Sequence, residues 1–396
     1  MTSSITTKAY NRCRNGWELL QKKNNVTNPA AAHLVTDQKT LDELVERLSR
    51  ESVLAFDLEA DSLHHYTEKV CLIQVSSTSE DRLIDPLAPI DVKVLAPIFA
   101  NPAIKKIFHG ADYDMRSLYR DFGIEVVNLF DTMIASQFLG ESEFGLAALL
   151  KKRFGVELDK RYQKADWSKR PFSQEMLDYA MKDTSLLIEL YRQLEAELKQ
   201  KGRLAWVEEE SELVAGVRSP SREGELMCLR FKGASKMKPR ELAVLEELLR
   251  FRDEKARLAD VPPFRILSND LLRELAEKQP RNNFELVGIH TMSSKLIERL
   301  GRGLLQAVAN GLAVPQDKLP QVHSGRRPVL DRLQDERVKR LKVWREAKSA
   351  QLGLGIGLVA NNTLLEALAE PGSQNITLLK RWQREAFGDE LASLIS

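Results

Sequence analysis

Apolar residues follow two different spacings along this chain, and the change from one to the other divides it. HLVTD (33–37) reads as a short strand, and Leu41, Leu44, Val45 and Leu48 share one face of a helix. Short apolar runs at VLAFDLE (53–59), VCLIQVSS (70–77), RLIDP (82–86), AIKKIF (103–108) and VVNLF (126–130) predict strands. Helices are predicted near 91–100 and over 112–122, the second closed by Gly123. From Thr132 to Lys201 the spacing is helical throughout, with breaks at Gly140, Gly155 and Pro171. Strands that first follow one another and later alternate with helices imply a mixed sheet covered by helices. Residues 31–201 are therefore expected to form one α/β domain, preceded by an extension over 1–30 that shows no periodicity.

Beyond it, residues 202–234 contain Ser219, Pro220, Gly224 and Gly233 and read as a connector, after which every strong signal is helical. Two helical stretches resemble each other without a gap, LLRFRDEKARLADVPPFRILSNDLLRELAE (248–277) and LKVWREAKSAQLGLGIGLVANNTLLEALAE (341–370). Phe251 aligns with Trp344, Arg252 with Arg345, Asn269 with Asn362 and Leu271 with Leu364, all at an offset of 93 residues. Matching aromatic, polar and paired-leucine positions point to a duplication. The expected organisation is a helical domain over 235–316, a basic linker over 317–334 and a second helical domain over 335–396. GLGIGLV (353–359) makes the second copy glycine-rich and is expected to be mobile or degenerate. The fold class is α/β plus all-α.

Composition narrows the function by exclusion. With 396 residues, 43% hydrophobic and 29% charged, the chain suits two to four globular domains and excludes disordered or collagen-like classes. No apolar run reaches the length of a membrane helix, and no membrane association is expected. The first twenty residues lack the apolar core of a secretory signal. Cys13, Cys71 and Cys228 are too scattered for a disulfide framework or a zinc site, so a reducing cytoplasm is the expected location. A net charge of +2 carries no information about nucleic acid, but residues 326–345 hold eight basic and three acidic side chains, a stretch suited to phosphate contacts.

The candidate chemistry lies in carboxylates. Asp57 and Glu59, two apart in an apolar strand, leave the same face of the sheet. Such a pair either faces water at a strand end, takes up a proton or is neutralised by a cation. Asp112 and Asp114 both open the helix after AIKKIF and HGA, where an acid is favoured by the helix dipole, and Asp112 looks the better N-cap. Tyr179 and Asp183, four apart in a helix with Ser173 as candidate N-cap, share one face. Tyr179 as a core aromatic and Asp183 paired with Lys182 is the ordinary alternative. Together these acids can converge at one edge of one sheet. Oxygen-only donors suit Mg²⁺ or Mn²⁺ rather than zinc, and two such ions about 4 Å apart can drive phosphodiester hydrolysis. Gly353, Gly355 and Gly357 follow no strand and have neither dinucleotide nor phosphate-loop spacing.

The order of these residues resembles the proofreading-type 3′–5′ exonucleases with four acidic ligands, in the subgroup that adds a tyrosine. FDLEADS (56–62) is similar to their first motif, IFHGADYD (107–114) to the second and YAMKD (179–183) to the third. In the second motif the acid lies five residues after the histidine, His109, which selects Asp114 over Asp112. CLIQVSS (71–77), LIDPL (83–87), FDT (130–132), GVELDK (155–160) and DWSKRP (166–171) resemble connecting segments of the ribonuclease D family. KGASKMKPRELAVLEELLRFRDEKARLADVPPFRILSNDLL resembles the helical HRDC domain that this family shares with certain helicases.

The resemblance implies a ribonuclease-H-like exonuclease domain followed by two HRDC-type domains, with two divalent metal ions as cofactor. It implies that Asp57 bridges both ions, that Glu59 and Asp183 complete the first, and that Asp114 holds the second largely through water. Tyr179 would orient the attacking water. It further implies release of 5′-mononucleotides from the 3′ end of structured RNA, notably precursor tRNA, with no stable protein partner. Lys160, Trp167 and Arg170 would lie near the site, with packing the chief role of Trp167. His64, His65 and Tyr66 would line the path of the 3′ nucleotide, and Tyr113 stands where many relatives have an acid. The alternatives are a DNA-preferring exonuclease of the same chemistry and a non-catalytic RNA-binding scaffold. Removing everything from about residue 235 is expected to weaken binding of structured RNA far more than hydrolysis of a short oligonucleotide.

Overall fold

The structure, a computed structural model, describes residues 33–220, 224–321, 332–370 and 375–395. The extension expected over 1–30 and most of the basic linker lie outside these residues. Those described divide into two compact units, one drawn from the described residues within 33–60, 69–219 and 332–395, the other from those within 61–68 and 220–321.

In the first unit the chain runs β1 (Leu34–Val35), α1 (Gln38–Leu48), β2 (Val53–Ala60), β3 (Val70–Ser76), β4 (Asp81–Ile84), α2 (Ala96–Ala100), β5 (Lys105–Phe108), α3 (Asp112–Phe122) and β6 (Leu129–Asp131). Helices α4 (Thr132–Leu139), α5 (Leu146–Phe154), α6 (Gln174–Ser185), α7 (Leu187–Gln200) and α8 (Leu204–Ala215) follow. The six strands form one mixed sheet, ordered β1-β4-β3-β2-β5-β6, with β3 antiparallel to both neighbours and β2, β5 and β6 mutually parallel. Alternation along β2 separates two cores. Leu54, Phe56 and Leu58 pack with Leu41, Leu44, Phe99, Met115 and Leu118 on one face, while Val53 and Ala55 pack with Phe138, Leu150, Leu190 and Leu194 on the other. Asp57 and Glu59 continue that second face.

The connector expected over 202–234 contains helix α8. Its Val207 is fully buried, and Ser211 Oγ accepts from the backbone N–H of Asp131 at 3.2 Å, so the helix belongs with the sheet. A run of glutamates in WVEEESELVA conceals the amphipathic spacing.

The second unit holds α9 (Pro239–Ala259), α10 (Pro263–Ile266), α11 (Asn269–Lys278), α12 (Asn283–Val287) and α13 (Ser294–Ala313) around Leu245, Leu248, Leu272, Leu275 and Leu304. Residues 61–68 join it: His65 Nδ1 lies 2.7 Å from Asp260, the Tyr66 hydroxyl donates to Asp253 at 2.8 Å, and Arg265 lies 3.3 Å from His64 Nδ1. The three side chains expected to line a nucleotide path are thus engaged by α9, α10 and the turn between them.

The repeat has a structural counterpart. In α9, Arg252 donates to Asn269 Oδ1 at 2.7 Å and to the carbonyl of Leu267 at 3.3 Å. In α14 (Arg332–Leu352), Arg345 donates to Asn362 Oδ1 and the carbonyl of Ala360, both at 3.0 Å. The short helices α15 (Ile356–Val359) and α16 (Asn362–Leu368) stand where α10 and α11 stand in the first copy. The second copy is not a separate domain, however. Val338, Trp344, Leu365 and, from α17 (Arg381–Ile395), Trp382 and Leu391 share one core with Phe138, Leu150 and Val207 of the α/β layer. Its glycine-rich segment is a docking element rather than a loose one. Leu354 is buried, Arg203 donates to the carbonyl of Leu352 at 2.6 Å, and a Cβ at Gly140 (φ +83°) would lie 2.5 Å from the carbonyl oxygen of Gly353.

Candidate metal-dependent active site

Strand β2 pairs with β3 so that Asp57 faces Gln74 and Glu59 faces Leu72, and the register shifts between Glu59 and Ala60. Helix α6 crosses the same face, N-capped by Ser173, which accepts from the Met176 N–H at 3.3 Å. One turn apart on its inner side, Tyr179 and Asp183 meet the strand, and Lys182 is exposed on the other. Carboxylate oxygens of Asp57, Glu59 and Asp183 lie within 4.8 Å of one another. Asp114, buried in the first turn of α3, is close enough for the Asp57 charge to act on it. The structure therefore brings together all five residues singled out in the sequence.

Local sequence fixes Asp114 by an indirect route. Asp112 is not the N-cap, which falls at Ala111; Asp112 instead pairs with Arg116 at 2.8 Å, one turn on, and that guanidinium lowers its pKa. The incoming HGA turn is held by Asp131, whose carboxylate accepts from Gly110 and Ala111 N–H at 2.9 and 2.8 Å. It also caps α4 by accepting from Met133 and Ile134 N–H. His109 Nδ1 lies 2.9 Å from Thr132 Oγ1, whose hydroxyl donates to the carbonyl of Phe108, so the ring donates from Nδ1. Burial lowers the imidazole pKa and keeps it neutral. Asp131 was quoted above only as part of FDT; an Asp directly before a helix is a signal that could have exposed it.

Electrostatics show what the cluster lacks. Burial raises the Glu59 carboxyl to about 10, reinforced by the charges of Asp57, Asp183 and Asp114. Burial likewise raises Asp57 to about 7, Asp183 to about 8 and Asp114 well above the ordinary carboxylate range. Among the described residues no lysine or arginine contributes to any of these shifts. Four acids crowded without a cation are a site short of positive charge, and purely oxygen donors fit hard divalent ions. The Tyr179 side chain lies one turn from Asp183 on the same helix face, and burial raises its pKa, so it stays protonated.

Tyr179 is braced by the loop between α5 and α6. Tyr162 and Trp167 approach its ring at centroid distances of 5.8 and 6.1 Å, and Trp167 is fully buried. Arg170 anchors that loop by binding both oxygens of Asp85 at 2.6 and 2.7 Å and the carbonyl of Cys71 at 2.8 Å. Trp167 and Arg170 thus support the site through Tyr179; Lys160 is exposed, as is Tyr113.

A mixed sheet with four converging acids and a tyrosine is the arrangement of a metal-dependent phosphodiesterase of the 3′–5′ exonuclease class, and comparison with known proteins agrees. The 3′-5′ exonuclease family model matches residues 32–199, and the HRDC domain model matches residues 241–308. Ribonuclease D from Zymomonas mobilis is 31% identical over 366 residues, covering 91% of this chain and 93% of that one. The crystal structure of Escherichia coli RNase D, described as an exoribonuclease involved in structured RNA processing, superposes with a TM-score of 0.69 at 26% identity, covering 91% of this chain and 98% of that one. The catalytic core of RRP6 from Trypanosoma brucei gives a TM-score of 0.61 at 33% identity, covering 70% and 79% respectively. The chain belongs to the ribonuclease D family of hydrolytic 3′–5′ exoribonucleases. Among the described residues no helix is long and apolar enough to cross a membrane.

Proposed function

We propose that this protein trims the 3′ ends of structured RNA, precursor tRNA foremost, by a two-metal hydrolysis centred on Asp57, Glu59, Asp114 and Asp183. The observation that carries the reading is the convergence of four carboxylates, two buried and two half-buried, with no compensating lysine or arginine among the described residues. Asp57, central in the cluster, would contribute to both ions, with Glu59 and Asp183 completing the first and Asp114 the second. When bound, Mg²⁺ or Mn²⁺ activates a water and stabilises the leaving oxygen. The protein's own groups supply orientation. Tyr179, protonated and beside Asp183, directs the water in line with the scissile bond, so no side chain acts as a strong base. Water adds to phosphorus and the bond to the 3′ oxygen of the preceding nucleotide breaks. The terminal residue leaves as a 5′-mononucleotide, and the shortened chain keeps a 3′-hydroxyl.

Incubating the protein with a tRNA bearing extra 3′ nucleotides beside single-stranded DNA, with Mg²⁺ or Mn²⁺ and then with a chelator, tests this. Release of mononucleotides from the RNA alone, lost on chelation, is the expected result. Preference for DNA would instead assign the same chemistry to another substrate, and binding without release would make the protein a scaffold.

A further inference from the structure

Gln74 lies in the middle of β3, flanked by Asp57 on β2 and Leu83 on β4. Residues directly opposite in an antiparallel pair project from the same face, with Cβ atoms roughly 4.5–5.5 Å apart. The side chain of Gln74 therefore shares the face of Asp57 and Glu59. Helix α6 covers that face: two residues along β3, Ser76 donates to Thr184, the neighbour of Asp183, at 2.8 Å in a buried bond. Leu72 and Leu83 pack there with Leu177 and Ala180. Gln74 is fully buried, and neither its amide nitrogen nor its carbonyl oxygen has a hydrogen-bond partner.

A buried amide that satisfies nothing is destabilising, and an apolar side chain of the same size would pack there without that penalty. Its retention is explained if its partner is present only in the loaded site. We propose that Gln74 is a positioning residue whose carboxamide holds the Asp57 carboxylate when the divalent ions are bound. An ionised carboxylate has about four lone-pair sites, more than an ion occupies, and an N–H donor on the outer side fixes its rotation. Gln74 presents two such donors from the adjacent strand, while Asp183 has the Tyr179 side chain beside it one helical turn away. The inference rests on the metal-site reading above.

The experiment measures Gln74→Leu and Gln74→Met against the wild type and Asp57→Asn, using the full chain. Urea midpoints are taken in chelator and Mn²⁺ affinities by calorimetry without RNA, followed by kcat and KM on a short RNA. Both Gln74 variants should keep or raise the metal-free midpoint and bind Mn²⁺ about 10–100-fold more weakly. Their kcat should fall with KM little changed. Mn²⁺ affinity within twofold of wild type overturns the proposal. So does a joint fall of midpoint and affinity in both variants, which would make Gln74 a packing residue. If the wild type itself binds no Mn²⁺, the metal-site reading fails instead. If wild type binds, Asp57→Asn does not and the Gln74 variants bind normally, only the role of Gln74 is lost.

Discussion

Trp382→Ala removes a fully buried indole from the place where the C-terminal helices meet the α/β layer. The ring lies 5.1 Å from both Phe138 and Trp206 and 5.8 Å from Phe387, and its Nε1–H donates to Glu210 at 2.7 Å. Truncating a core Trp to Ala costs about 3–5 kcal/mol, through lost transfer energy and the cavity left behind. Glu210 keeps Lys380, which donates to both its oxygens at 2.6 Å, so no bare buried charge adds to that figure. Against a total stability of about 5–15 kcal/mol, this is a large fraction. Native-state hydrogen exchange read by peptide is the assay. The opening free energy of peptides spanning β2 and β5 should fall by about 3–5 kcal/mol, while peptides from α9 keep theirs. Trp382→Phe should recover much of the loss. If only residues 332–395 loosen and the sheet is untouched, the claim of one shared core is wrong.

Asp57→Asn, like Asp57→Ala, should reduce turnover to background with the fold intact, and should raise the metal-free melting temperature by removing a buried repelling charge; retained turnover would refute the assignment. The folded-state pKa values of Asp57, Asp183 and Glu59 stand above their unfolded values near 4, so the contribution of these three groups to metal-free stability is greatest at low pH and falls as pH rises toward about 7, 8 and 10. Mn²⁺ should therefore raise the melting temperature more at pH 8.5 than at pH 5.5, and equal rises would contradict the linkage. Tyr179→Phe should lower kcat by about 10²–10⁴-fold with Mn²⁺ affinity held within a few-fold. Asp131→Ala should destabilise by about 2–3 kcal/mol in urea titration and lower kcat, because it frees the turn that places Asp114.

Much of the site was legible because its geometry is local. Two acids two apart on an apolar strand share a face whatever the strand packs against, and Tyr179 and Asp183 share a helix face by the same kind of rule. Residues whose partners are distant in sequence were not legible. Asp112 looked like a cap until Asp131, nineteen positions on, was seen to take the turn's N–H groups. Arg170 revealed its role only through Asp85 and Cys71. The amphipathic pattern of 332–395 says that an apolar face exists and not what covers it. The expectation that removing everything from about residue 235 weakens binding of structured RNA far more than hydrolysis of a short oligonucleotide took no account of this: such a truncation removes Trp344, Trp382 and Leu391 from the core shared with the sheet. Gln74 read as one polar residue in an apolar strand, and its isolation is visible only in three dimensions.

The order in which that core is assembled has a consequence for biogenesis. The sheet strands leave the ribosome early, yet part of their packing comes from α14–α17, which are made last, with the whole of residues 220–329 in between. Chains grow at about 5–20 residues per second. Roughly 10–40 seconds therefore separate the synthesis of Asp183 from that of Trp382, and over that interval the core of the sheet lacks its last helices. A chain that stops short of these last helices therefore lacks part of the packing of its nuclease sheet.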